Sequence, residues 1–213
     1  MGKYDALAEL LLEAIREGGY LKKEDNAIPV GISNRHIHLS QADLEILFGT
    51  GYQLTKAKEL SQPMQFACKE TVTICGPKGA IEKVRILGPV RKETQVEIPK
   101  ADCFKLGIIA PVKMSGDLQG TPGITLIGPK GSICLTKGVM IAQRHIHMTL
   151  EDAKRFGVTD GEQVTIEVGG LRGGTLSNVA IRANNSSALE CHIDTDEANA
   201  LDLGPNSTIK IIK

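Results

Sequence analysis

The stretch NRHIHLS at residues 34–40 returns as QRHIHMT at residues 143–149. No other feature restricts the fold of this chain as much. The similarity runs on through RHIHLSQADLEILFG and RHIHMTLEDAKRFG, which share an HxH pair, an apolar residue, a hydroxyl, an acid three places on, and Phe-Gly. Side chains two apart on a strand point to the same face, so His36 and His38 project together, and so do His145 and His147. Ser40 and Thr149 fit as helix N-caps, with Asp43 and Asp152 at the N3 position. Each copy therefore predicts a strand carrying HxH, a cap, and a short helix, over residues 41–48 and 150–156. Two such units predict two related halves, each bringing one HxH to a shared place.

Most of the remaining sequence reads as β. TVTICGPKGAIEKVRIL and ITLIGPKGSICLTKGVMIA are two similar hairpins turning on Gly-Pro-Lys-Gly, where proline presets φ and the closing glycine is expected to take a positive φ. QVTIEV, LSNVAIRA and STIKIIK are further short strands with turn signals between them. Helical patterns are few: residues 5–17, the two segments after the HxH pairs, and 195–202. In the first, Leu7, Leu10, Leu11, Ala14 and Ile15 form an apolar stripe opposite Glu9, Glu13, Arg16 and Glu17, before Gly18-Gly19 and a polar linker. Many short strands with Gly/Pro turns predict small barrels with helices as caps.

Composition removes several functions. Lys and Arg total 25 against 25 Asp and Glu, and aromatics are only 3% with no Trp, so neither a basic footprint nor a stacking platform for nucleic acid exists. No apolar run has the length of a membrane span and no signal-peptide pattern appears, so no membrane association is expected. The five cysteines are scattered, without CxxC, and read as reduced thiols of a cytoplasmic protein.

The histidines carry the chemistry. Two HxH pairs in one local context are poorly explained by chance, and imidazole clusters at ligand spacing signal metal. His192, in ECHIDTDEANA, reads as the end of a strand before a Thr-capped helix, and with it all five histidines find a use as ligands. One tetrahedral ion cannot take five imidazoles and keep an open position. Two ions are inferred: one on His36 and His38 plus a carboxylate, the other on His145, His147 and His192. VRKETQVEIPKAD offers Glu93, Glu97 and Asp102 as that carboxylate, of which Glu97 is the best placed and shares a strand face with Gln95. Arg35 and Arg144 precede the pairs by one residue and should face away from the histidines. Arg91 reads either as a solvated loop arginine or as a planar fork for phosphate or an oxyanion.

At this point the residues resemble the phosphate propanoyltransferases, the propanediol-utilisation type of phosphotransacylase associated with bacterial microcompartments. IPVGISNRHIHLS, QFACKETVTICGPKG, ILGPVRKETQVEI, SGDLQGTPGITLIGPKG, GVMIAQRHIHMT and HIDTDEANA carry the resemblance, in family order from about residue 28 to residue 202. It implies a mainly β fold of two small β-barrel domains capped by short α-helices, with the chain crossing between them. Residues 26–35 and 144–213 would form the first barrel and 36–143 the second, after an N-terminal helix and linker over 1–25. It implies two zinc ions, one on His36, His38 and Glu97 and one on His145, His147 and His192, with Arg91 gripping phosphate. Acyl-CoA and phosphate would be the substrates, acyl phosphate and coenzyme A the products. The expected transfer is direct, because no cysteine or serine adjoins a metal-free histidine; Cys191 neighbours His192 but faces the other way. A homo-oligomer is expected, and the N-terminal helix could be an address for a microcompartment shell or a packing element. The rival functions are a dinuclear zinc hydrolase and a non-catalytic metal-binding module.

Overall fold

The computed structural model describes residues 26–212; the amphipathic segment over residues 5–17 lies outside them. Strand β1 (Ile28–Ser33) begins in one sheet, and the chain then leaves for another. That second sheet holds β2 (His36–His38), β3 (Lys56–Glu59), β4 (Phe66–Cys75), β5 (Ala80–Gly88), β6 (Gln95–Glu97), β7 (Val112–Lys113), β8 (Thr125–Ile127), β9 (Ser132–Cys134) and β10 (Val139–Ala142). The chain then returns to the first sheet with β11 (His145–Met148), β12 (Gln163–Val168), β13 (Gly174–Ala183), β14 (Glu190–Asp194) and β15 (Thr208–Ile212). The first sheet closes as a six-stranded barrel in the order β1-β14-β11-β13-β12-β15. The second runs β7-β10-β6-β2-β5-β4-β8-β9, with β3 on β4, and curls into a half-barrel. Among the described residues four short helices cap them: α1 (Gln41–Phe48), α2 (Lys100–Leu106), α3 (Leu150–Phe156) and α4 (Thr195–Ala200).

Alternation along the strands separates core from cleft. Ile146, Met148, Ile181, Cys191 and Ile193 point into the barrel, where they pack with Ile28, Ile166 and Ile209. Ile37, Leu39, Ile86, Val96 and Ile98 point into the core of the second sheet. Each Ile or Leu so buried contributes roughly 1.5–3 kcal/mol, whereas exposed ion pairs give about 0–1 kcal/mol. The two apolar cores therefore set the register of every strand that carries a histidine, since a slip by one residue would drive the imidazoles inward.

The caps follow the expected chemistry with two departures. Ser40 accepts from the Asp43 N–H, and Thr149 forms a full capping box with Asp152. The cap before α4 is Asp194, not a threonine; its carboxylate accepts from Glu197 N–H and Glu197 answers, while Thr195 is the first helical residue. Helix α2 has no pattern in the sequence that foretells it, because Pro99 at its N-cap offers no side-chain acceptor. The acceptor comes from helix α4: the Ala101 N–H donates to Asp196 Oδ2 at 2.8 Å.

The Gly-Pro-Lys-Gly turns also work differently from the expectation. Gly79 and Gly131 do not adopt positive φ. Each turn is instead pressed against the end of a helix, where Lys78 N–H donates to Leu106 O at 3.1 Å and Lys130 N–H to Leu47 O at 3.0 Å. A Cβ on Gly76 would lie 2.3 Å from Leu106 O, and one on Gly128 2.5 Å from Leu47 O. Glycine is required there for backbone approach. Gly128→Ala is expected to cost about 1–3 kcal/mol and lower Tm by several degrees, whereas Gly204→Ala, with open space around it, should leave Tm nearly unchanged in thermal unfolding.

Candidate functional site

The chain passes between the sheets twice, at Asn34-Arg35 and at Gln143-Arg144, immediately before each HxH pair. This is why both pairs lie at the junction. The two crossings share their detail. His36 Nδ1 pairs with Asn34 O and His145 Nδ1 with Gln143 O, both at 2.8 Å. Donation from Nδ1–H to these carbonyls leaves the Nε2 lone pairs aimed into the cleft. Arg35 and Arg144 turn away from the histidines as expected. Arg35 forms a two-pronged ion pair with Asp102, at 2.5 and 3.0 Å, and Arg144 meets Glu197 at 2.8 Å. Both acids occupy the third position of a helix, α2 and α4 respectively.

The third member of each cluster comes from an antiparallel neighbour. His36 sits opposite Glu97 in the β2–β6 register, and His145 sits opposite His192 in the β11–β14 register. The donor atoms of His36, His38 and Glu97 all lie within 4.8 Å of one another, and so do those of His145, His147 and His192. Of the other carboxylates weighed from sequence, Asp102 is taken by Arg35, and Glu93 pairs with Lys137 at 2.6 Å on the surface. Both triads open into one cavity of about 420 Å³ between the sheets.

Burial shapes the titration of these groups. It lowers His38 to about 3, with the His36 and Arg91 charges adding to the effect. Burial also lowers His145 to about 4, with His192 beside it, and His147 to about 3, with His145 beside it. For His36 burial acts downward too, but the Glu97 carboxylate against its ring outweighs it and the pKa rises. Burial pushes Glu97 upward, and the His36 charge and hydrogen bond outweigh this, holding Glu97 well below the usual carboxylate range. Neutral His38, His145 and His147 and an ionised Glu97 are in the protonation states that metal ligation needs.

The donor geometry also fits a divalent ion. Zinc–ligand distances of about 2.0–2.2 Å put adjacent donors of a tetrahedral site roughly 3.3 Å apart. His36 Nε2 and Glu97 Oε2 are separated by 3.3 Å, and His145 Nε2 and His147 Nε2 by 3.0 Å. The Nδ1 atoms of His38 and His147 are buried without a hydrogen-bond partner among the described residues, although the Leu87 backbone lies close enough to His38 to act on its charge. A buried polar atom left so is costly unless something else satisfies it.

Arg91 stands in the same cleft, held by its backbone N–H on Leu39 O at 2.8 Å and by Nη1 donating to Ser115 Oγ at 3.1 Å. Burial lowers its pKa, opposed by Glu97. Gln95 also donates to Ser115, at 2.8 Å, and to Glu97 Oε1, at 2.5 Å. Cys191 lies wholly inside the barrel core, where burial pushes its thiol up to about 12.

Two cleft residues escaped the sequence reading. Glu190 holds His192 Nε2 at 2.5 Å and accepts from the Ser61 hydroxyl. Arg182 lines the cavity beside His147. A signal for Glu190 existed: QVEIPKAD and ECHIDTDE align as a second repeat, with Gln95 over Glu190, Glu97 over His192 and Asp102 over Glu197.

Barrel, curled sheet and cleft together define a two-sheet β protein with a histidine-rich crevice between the sheets. The family model for phosphate propanoyltransferase matches residues 29–204. A phosphate propanoyltransferase of Thermotoga maritima is 54% identical over 204 residues, covering 95% of this chain and 97% of the relative. Those of Rhodobacter capsulatus and Clostridioides difficile are 51% and 50% identical, each over 207 residues and 97% of this chain, covering 95% and 99% of the relatives. The chain belongs to the phosphate propanoyltransferase family, and it is an acyltransferase.

The depressed histidines carry a stability signature. Their folded pKa values lie below the ordinary 6.5, so the unfolded chain binds more protons and stability is lost as pH falls below about 6.5. Glu97, also depressed, acts in the same sense below its ordinary 4.5. His36, raised, opposes them. Chelator-treated protein should therefore show a lower Tm at pH 5 than at pH 7, and His147→Gln should shrink that difference; a Tm that rises on acidification would contradict this balance.

Proposed function

We propose that this chain is a phosphotransacylase that moves a short acyl group, propanoyl or acetyl, reversibly between coenzyme A and inorganic phosphate, with two zinc ions in the cleft. The observation that carries the reading is the pair of donor triads, one from each sheet, opening with Arg91 into a single cavity. His36, His38 and Glu97 would hold one ion and His145, His147 and His192 the other. When bound, zinc supplies Lewis-acid stabilisation of thiolate sulfur and of phosphate charge.

The residues do the positioning. Arg91 has Nη1 on Ser115 and the rest of its fork without a partner among the described residues, ready for two phosphate oxygens. Gln95 and Ser115 hold that fork against Glu97. The phosphate oxygen attacks the thioester carbonyl carbon, the C–S bond breaks, and coenzyme A leaves as thiolate. No acyl-enzyme is needed. Cys191 is buried and protonated, and the Ser61 hydroxyl meets a carboxylate instead of an imidazole base.

The two sheets are proposed as the two domains, 26–35 with 144–213 and 36–143. A homo-oligomer would cover the exposed Phe104, Ile109 and Val112. A cytoplasmic location, in a microcompartment lumen, belongs to the same reading, with residues 1–20 as the shell address. No helix among the described residues is long and apolar enough to cross a membrane.

Purified chain is expected to contain two zinc ions by elemental analysis and to convert propanoyl-CoA and phosphate to free CoA and propanoyl phosphate, trapped as the hydroxamate. Chelation should abolish turnover and zinc should restore it, while Glu97→Gln should lose one zinc and about a hundredfold or more in kcat. CoA release without acyl phosphate would identify a hydrolase, zinc without turnover a structural module, and labelled acyl group bound to protein would refute direct transfer. Deletion of residues 1–20 should leave kcat within about twofold and abolish co-purification with shells; a fall in Tm instead would make the segment a packing element.

A further inference from the structure

Arg182 lines the cleft and has no part in the reading above. It lies on β13 in parallel register with His147, and its chain neighbours Ile181 and Ala183 point into the barrel core. Its side chain therefore leaves the barrel on the histidine face, where it lines the same cavity as Arg91. Its guanidinium makes no hydrogen bond or ion pair with any described residue. The nearest acid in its row is Glu190, across β11 from it, and that carboxylate is already held by His192 and Ser61. Arg182 is close enough to lower the pKa of Arg91, so two guanidinium groups share the space. Arg91 is bridged to Ser40, two residues past His38, and Arg182 stands beside His147 in the sheet register. One arginine thus accompanies each triad, one from each sheet. Glu97 acts on Arg91, but no carboxylate among the described residues pairs with Arg182, and two guanidinium groups in a partly desolvated cleft favour an anion between them.

We propose that Arg182 is a second phosphate-binding residue, which with Arg91 clamps the phosphoryl group from opposite sides of the junction. The proposal rests on the phosphotransacylase reading for the identity of the anion. While one phosphate oxygen forms its bond to the acyl carbon and the thiolate leaves, the two forks hold the remaining oxygens. They also offset the charge of the acyl phosphate product.

The test uses the full zinc-loaded chain with Arg182→Gln and Arg182→Lys. The Arg182 guanidinium has no partner among the described residues, so both variants should keep the parental Tm. KM for phosphate should rise roughly ten- to a hundredfold in Arg182→Gln, the factor expected for losing hydrogen bonds to a charged group, and less in Arg182→Lys. KM for propanoyl-CoA should stay within about twofold. Coenzyme A carries phosphates of its own, so the series is repeated with propanoyl-pantetheine, which has none; the same loss is expected. Calorimetric titration with inorganic phosphate, without acyl donor, should show the same weakening. Unchanged phosphate affinity in Arg182→Gln would overturn the proposal, and so would a defect seen only with the coenzyme A thioester. Phosphate binding that depends on Arg182 in a protein forming no acyl phosphate would sink the phosphotransacylase reading and leave this site standing.

Discussion

Two short crossings of the backbone hold the cleft together. At Arg35 and at Arg144 the chain leaves one sheet and enters the other, and each crossing is tied by an arginine to the first turn of a helix. The histidine that follows is fixed by its own Nδ1 on a carbonyl of the crossing. Without these anchors the HxH pairs would still be strands with a polar face, but those faces would have no reason to meet.

What lies between the sheets is an unusual load of buried polarity. His36, His38, Gln95, Glu97, His145 and His147 are all buried. Such groups oppose folding unless they are paired, and the two apolar cores behind them provide the compensating stability. Further links span the cleft. The Ser61 hydroxyl donates to Glu190, and Gln62 exchanges two hydrogen bonds with Ala188, at 3.0 and 3.2 Å. The half-barrel is thereby held against the barrel, and the protonation states described above depend on that closeness: Glu97 of one sheet acts on His145 of the other.

Legibility from sequence followed the range of the interaction. The HxH pairs, the Ser40 and Thr149 caps and the two Gly-Pro-Lys-Gly hairpins were readable because the groups involved are within a few residues of one another. Strand alternation put Glu97 on one face with Gln95 but did not by itself choose it over Glu93 and Asp102. Helix α2 was not, since its capping acceptor is Asp196, 95 residues away. The turn glycines were read as sites of positive φ, and they are in fact places where a helix end touches the turn, a contact that only packing creates. Glu190 could have been found by laying ECHIDTDE over QVEIPKAD, but the match is in spacing more than identity.

The sequence by itself determined which side chains stand on which face of each strand, because period-two alternation is a local property of the backbone. It also determined the pairing of His36 with His38 and of His145 with His147, and the helices that follow them. Only the tertiary structure decided that the two pairs share a cavity, that Glu97 and His192 stand opposite the first histidine of each pair, and that Arg91 and Arg182 converge there. Those relations depend on register between strands far apart in the chain, which hydrophobic burial on the opposite faces selects and no short window of residues contains.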